Sequence, residues 1–273
     1  MSRILPLRGD NLRPLWNRRD HGHTAPVFGH ATIRFYGDLQ VLASDADRGG
    51  EVRVPLGHPR SVKDAIESCG VPHTEVDLVL VNGDSVGFAH PIRAGDRVSA
   101  YPPFANLEVP SAVRPSPRET TAFLLDVHLG RLAGRLRLLG FDAAYRNDAD
   151  DDALAAQAAA EQRWLLTRDR GLLMRAAVTH GYLLRSTDPR EQVLEVVRRF
   201  DLYAAVQPLT RCATCNGLLT AVAKADVDHL LQPGTRRDHD TFVQCTACGQ
   251  LYWEGSHSGE LAAFIASVVD AAD

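Results

Sequence analysis

Apolar and polar positions change their period several times along this chain, and the changes mark its parts. Residues 1 to about 30 carry no period and are rich in Arg, Pro, Gly and His, which predicts a flexible tail. From Ala31 an alternation sets in. ATIRF (Ala31–Phe35) and EVRVPL (Glu51–Leu56) read as the two strands of a hairpin. SVKDAIESCG (Ser61–Gly70) switches to helical spacing, with Ser61 as N-cap, Asp64 at the third helical position, Val62, Ala65 and Ile66 on one side and Gly70 closing it. VDLVLVNGDSV (Val76–Val86) is a strand, an Asn-Gly turn signal and a short return, and Gly95-Asp96 turns into a last strand, DRVSAYPPF.

Strand, strand, helix, strand, strand is the order of a β-grasp domain. The stretch VNG…I.AGDRVSAYPP is similar to the small ubiquitin-like sulfur carriers, which end in a Gly-Gly tail. Here the last strand runs on into YPPFANLEVP (Tyr101–Pro110), so carrier chemistry is not expected and the domain reads as a binding or positioning module. AVRPSPRE (Ala112–Glu119) has the prolines and polar neighbours of a semi-stiff linker.

A second pattern begins at Thr121. Short apolar runs, each the length of a buried parallel strand, alternate with helical segments, the signature of an α/β domain. The runs are Ala122–Leu125, a short one near Ala143–Tyr145, Trp164–Thr167 and Tyr182–Arg185. The first ends in Asp126, the third in Thr167-Arg168-Asp169, and the fourth leads to Asp188 and Pro189. In open α/β sheets the carboxyl ends of the strands face the ligand crevice. Asp126, Asp169, Asp188 and the acidic turn Asp148, Asp150, Asp151, Asp152 are therefore expected along one sheet edge. Helix capping accounts for one or two of the turn's carboxylates and does not require four. Carboxylates brought together repel unless a cation joins them, and Mg²⁺ or Mn²⁺ prefers such oxygen ligands. After Asp126, Leu129, Leu132, Leu136 and Leu139 form one helical stripe, and His128, Arg131 and Arg135 another. The second stripe suits either a phosphate backbone or a solvated face.

Composition narrows these readings. At 273 residues two domains are expected, and 45% apolar with 23% charged residues is the balance of an ordinary globular protein. A net charge of −4 gives no global pull on nucleic acid. Only Lys63 and Lys224 are lysines among 30 basic residues, a bias that a GC-rich genome also produces. No apolar run is long enough for a bilayer, and MSRILPLRGDN lacks a signal-peptide core, so no membrane partner is expected and the expected address is cytoplasmic.

Four of the five cysteines form two pairs, Cys212-x-x-Cys215 and Cys245-x-x-Cys248, with 29 residues between them. Four thiolates at this spacing predict a structural zinc ribbon with no open position for chemistry. Cys69, at the end of the first helix, reads as an inert thiol. His229, His239 and His257 read as surface or supporting groups. Tyr252 and Trp253, with Arg236 and Arg237, are candidates for stacking on bases or for packing the ribbon onto the core, the latter favoured for Trp253.

FLLDVHLGRLAGRLRLLGFD, DADDDALAA, WLLTRDRGLL and RCATCNGLL…FVQCTACGQLYWEGSH together resemble the Mut-seven C-terminal RNase family, a PIN-like nuclease fold with an appended zinc ribbon. The segment before it resembles the ubiquitin-like domain that precedes this RNase domain in bacterial members. The resemblance implies Mg²⁺- or Mn²⁺-dependent hydrolysis of RNA. Carried over by position, Asp126 matches the first PIN carboxylate and Asp169 the one after the TRD strand; Asp151, then Asp150, fits the second, and Asp188 a fourth. Arg131, Arg135 and Arg168 would meet phosphate. The expected layout is a tail (1–30), a β-grasp domain (31–105), a linker (106–120), a PIN-like domain (121–205), and a zinc ribbon with a C-terminal helix (206–273). A non-catalytic RNA- or ribosome-binding adaptor is the competing class. A protein partner for the β-grasp domain and a homodimer are both left open.

Overall fold

The computed structural model describes residues 29–44, 50–104, 110–113 and 121–253. Most of the expected tail and of the expected linker, His257 and the expected C-terminal helix lie outside the described residues; Gly29 and His30, expected in the tail, instead open the first strand.

The first domain opens with β1 (Gly29–Phe35), a short α1 (Leu39–Leu42), β2 (Glu51–Leu56), β3 (Arg60–Ser61) and α2 (Val62–Ser68). It closes with β4 (Leu78–Val81), β5 (Asp84–Ser85), β6 (Pro91–Ile92) and β7 (Arg97–Tyr101). β1 and β2 pair antiparallel, with Ile33 opposite Val52, and β1 lies parallel to β7 in a sheet ordered β2-β1-β7-β4-β5. That parallel centre with α2 across it is a ubiquitin-like β-grasp. α2 forms where its capping box forms: Ser61 Oγ accepts from the Asp64 amide, and the Asp64 carboxylate accepts from the Ser61 amide. Its buried residues are Val62, Ala65 and Ile66, the apolar positions of the pattern. Asn82 and Gly83 take φ of 53° and 101°, the left-handed pair that a tight β4–β5 turn needs.

The second domain runs β8 (Ala122–Leu125), α3 (Gly130–Leu138), β9 (Asp142–Tyr145), α4 (Asp151–Ala160), β10 (Trp164–Thr167), α5 (Arg170–Leu173), β11 (Gly181–Leu183) and α6 (Pro189–Arg199). All four strands are parallel, ordered β11-β10-β8-β9. Their apolar residues face helices on both sides. Leu129, Leu132, Leu136 and Leu139 of the predicted stripe join Val193, Val196 and Val197 of α6 in one core layer. The order reverses between β8 and β10, so the crevice at their carboxyl ends is the topological switch point.

The ribbon follows as β12 (Leu219–Val222), α7 (Lys224–Val227), α8 (Pro233–Asp238), β13 (Phe242–Cys245) and β14 (Leu251–Trp253), with the three strands antiparallel.

Across the expected linker the two domains share a core. Leu154, Ala155, Ala158, Leu172, Leu173, Val178 and Leu183 belong to the same buried cluster as Ile33, Phe35, Ile66 and Val98. Polar contacts lock the seam. His73 Nε2 meets Val178 O at 2.9 Å, Glu75 Oε1 accepts from the Leu183 amide at 2.7 Å, and Arg170 donates to Leu42 O at 2.9 Å. Polar side chains that meet backbone groups 105 to 128 positions away leave no local period, so this docking is invisible in the pattern.

Candidate metal centres and the carboxylate edge

Asp126 follows β8 directly and is 7% exposed. Its Oδ2 accepts a 2.6 Å hydrogen bond from the Thr167 hydroxyl at the end of β10. The same hydroxyl accepts from the Asp169 amide at 2.9 Å, and Asp169 Oδ1 caps α5 by accepting from the Gly171 amide at 2.7 Å. Thr167 thus ties the two strand-terminal aspartates across the switch point. No basic side chain among the described residues makes an ion pair with Asp126 or Asp169. A buried carboxylate without a counter-charge is costly to keep.

The acidic turn is resolved differently. Arg146 forks onto Asp148. Asp150 is the N-cap of α4, accepting from the Ala153 amide at 2.8 Å. Arg175 pairs with Asp151 at 3.3 Å and with Asp152. The expectation that four crowded carboxylates demand a metal ion is therefore met in good part by one cap and two arginines. Arg175 stands outside any periodic signal, which is why it was not foreseen. Asp188 is the N-cap of α6, accepting from the Arg190 and Glu191 amides; these bonds, with Arg135 nearby, hold its carboxyl below the usual range. Asp126 and Asp169 thus stand just past the carboxyl ends of β8 and β10, and Asp151 opens α4, six positions after β9 ends. Their oxygens do not gather, however: among the described residues, the only group of three or more ligand-type side chains within 4.8 Å of one another is Cys212, Cys215, Cys245 and Cys248. Arg131 and Arg168 are exposed near this edge, and Arg135 is half-buried on α3.

The cysteine set fits zinc. Cys212 and Cys248 sulfurs are 3.6 Å apart and those of Cys215 and Cys245 3.4 Å, close to the roughly 3.8 Å edge of a tetrahedron with Zn–S of about 2.3 Å. A Cβ on Gly217 would come within 2.9 Å of Cys245 Sγ, so the knuckle closes around the sulfurs only with glycine there. Burial opposes ionisation of Cys212, yet hydrogen bonds from Tyr252 and from the Cys215 and Thr214 amides bring its thiol down to about 6, whereas burial and the neighbouring thiols push Cys215 up to about 12.

The ribbon aromatics correct two expectations. Tyr252 is buried, with its hydroxyl 3.1 Å from Cys212 Sγ and accepting from the Ala213 amide, so it offers no face to a base. Trp253 packs with Phe242, Val227 and Leu231 in the ribbon's own small core rather than on the α/β domain. Arg236 and Arg237 are engaged by Asp228 and Asp238. What seats the ribbon is Arg137, which the sequence pattern does not single out. It is 5% exposed and donates to Ala143 O, Ala213 O and Thr214 O. Asp142 adds bonds from Arg163 and Asn216 and an ion pair with Arg211; burial works against its ionisation, but these partners hold its carboxyl below the usual range. Cys69 is buried with its thiol on Ala65 O, as an inert group would be.

Among the described residues no helix is long and apolar enough to cross a membrane. No curated protein and no solved structure matches this chain. Family models match twice and in the order of the two folds: a Mut7-C ubiquitin domain over residues 29–108 and a Mut7-C RNAse domain over residues 121–265. With the RNase model spanning more than half the chain, over the parallel sheet and the four-cysteine ribbon, this protein belongs to the Mut7-C RNAse domain family, preceded by that family's ubiquitin-like domain.

Proposed function

We propose that the α/β domain is a Mg²⁺- or Mn²⁺-dependent ribonuclease of the cytoplasm, working at the crevice between β8 and β10. The observation that carries this reading is Asp126: a buried carboxylate at the switch point, bound by a neutral hydroxyl and matched by no basic side chain among the described residues. Asp169 stands beside it on Thr167, and Asp151 flanks it from the other side. Because the three do not close into a cage, they suit a hydrated hard ion, which keeps several waters and takes one or two carboxylates directly. When bound, such an ion lowers the pKa of attacking water and neutralises charge on the phosphodiester. The chain's own contribution is to hold Asp126 in place through the Thr167 hydroxyl and to offer Arg131, Arg135 and Arg168 as phosphate contacts. The zinc ribbon takes no part in the chemistry, since four thiolates leave zinc no open position.

A mixed RNA pool incubated with the purified chain tests this. Mn²⁺-stimulated cleavage is expected, lost in both Asp126→Asn and Asp169→Asn. Cleavage at wild-type rate in both variants would overturn it. The adaptor reading, RNA bound and not cut, gains support from Arg146 and Arg175, which already neutralise part of the acidic turn. It predicts RNA retention with no turnover and no divalent ion held at Asp126.

A further inference from the structure

The seam between the two domains leaves a cleft of about 860 Å³, a size suited to a small ligand. Asp38 and Phe104 of the β-grasp domain form one wall, and Tyr182, Arg185, Arg198 and Arg199 the other. A second recess shares Asp38, Tyr182 and these three arginines and extends to Ser186 and Glu191. Ser186 lies just past the carboxyl end of β11, so the combined groove runs from the end of α6 toward the edge that carries Asp126 and Asp169.

Arg199 is the odd group in this wall. Its guanidinium lies 5.2 Å from the ring centre of Phe200, 5.6 Å from Tyr182 and 5.9 Å from Trp164, and makes no ion pair or hydrogen bond with a described residue. Two buried acids, Glu75 and Asp77, act on it through space, and Glu75 is already engaged by the Leu183 amide and by Arg185. Rings offset part of the cost of desolvating a cation, and an anion offsets more. Arg198 stands exposed beside it at the end of α6. An exposed cation and an accessible aromatic ring in one cleft, here Arg198 and Phe104, are the paired requirements of a nucleotide: phosphate for the arginine, base for the ring. Asp38, whose carboxylate does not cap α1, adds an acceptor suited to the amino edge of a base and disfavours a bare polyanion.

We propose that this interdomain cleft is a subsite for one nucleotide of single-stranded RNA, with the base on Phe104 and the phosphate at Arg198 and Arg199. Neither domain forms it alone, so the β-grasp domain supplies one wall of the substrate channel. The choice of RNA rests on the ribonuclease reading; the binding geometry does not.

The test is fluorescence anisotropy with the full chain and a labelled single-stranded oligoribonucleotide, in buffer without added Mg²⁺ or Mn²⁺, so that binding is read without turnover. Arg198→Glu is expected to weaken binding at least tenfold and to reduce its salt dependence by about one phosphate contact. Phe104→Ala is expected to weaken binding about tenfold, with a smaller loss for an abasic oligomer of the same charge. Arg198 is exposed, so the fold does not depend on it. Wild-type binding within twofold in both variants, or no binding by wild type at all, would overturn the subsite. If wild type binds through the cleft and never cleaves, the nuclease reading fails while the subsite stands. If it cleaves and both variants bind and cut normally, the reverse holds.

Discussion

The Thr167 hydroxyl donates a 2.6 Å hydrogen bond to Oδ2 of Asp126, joining the ends of two adjacent parallel strands. Because that hydroxyl also accepts from the Asp169 amide, one fully buried side chain sets the spacing of both aspartates. Thr167→Val keeps the shape and removes the hydroxyl, leaving an acceptor and a donor unmatched in the interior. A stability loss of about 2 kcal/mol is expected, together with at least a tenfold fall in Mn²⁺-stimulated RNA cleavage. Thr167→Ser should restore most of the cleavage. Thermal unfolding and cleavage measured on the same preparations check this, and full activity in the valine variant would remove Thr167 from the site.

The acidic turn allows a sharper division. Asp150 is occupied as the cap of α4, whereas Asp151 sits in the first turn and reaches Arg175 across 3.3 Å. Asp150→Ser preserves capping and should leave both stability and cleavage near wild type, while Asp150→Ala costs about 1 kcal/mol through the lost cap. Asp151→Asn should lower cleavage about tenfold and raise the Mn²⁺ concentration needed for half-maximal rate. If Asp150→Ser proves the damaging change, the second carboxylate has been misassigned.

Local rules made most of this molecule readable. Alternation set the β-grasp strands, Ser61 and Asp64 announced α2, and the leucine stripe marked the buried face of α3. Strand-terminal Asp126 and Asp169 followed from the sheet's parallel order, and the knuckles from cysteine spacing. What stayed hidden depends on partners far apart in sequence. Arg137 meets carbonyls 76 and 77 positions away, and Glu75 an amide 108 positions away. A backbone carbonyl or amide has no residue identity, so such contacts leave no trace in a pattern of side chains. The same blindness hid Tyr252, whose ring suggested base stacking and whose hydroxyl instead serves Cys212.

Removing the ribbon's metal should unfold the ribbon without touching the carboxylate edge. Thiol-reactive release of metal is expected to yield one zinc per chain, and Cys245→Ser to lower the melting temperature. Arg137→Met separates docking from metal binding. It strips a donor from three carbonyls, one on β9 and two on the first knuckle, and should cost about 3 kcal/mol. Zinc content should stay near one per chain. Loss of zinc in Arg137→Met would mean that the knuckle needs the helix in order to form at all.

Glu75 gives the domain seam a dependence on pH whose sign can be worked out. Burial is the largest influence on it and raises its pKa above the ordinary 4.5, although the Leu183 amide and the Arg185 guanidinium pull the other way. An acid raised on folding stabilises the folded state in its protonated form. That contribution is complete below about 4.5, the ordinary glutamate pKa, and is lost as pH rises through the folded value. Glu75→Gln stays neutral throughout and keeps an oxygen for the Leu183 amide, so it escapes this loss. At pH near 7 the variant should therefore melt higher than wild type, and the gap should close as pH falls toward 4. Paired melting curves across this range decide the matter. A variant that melts lower at neutral pH, with no convergence in acid, would mean that the ion pair with Arg185 outweighs the cost of burying the charge.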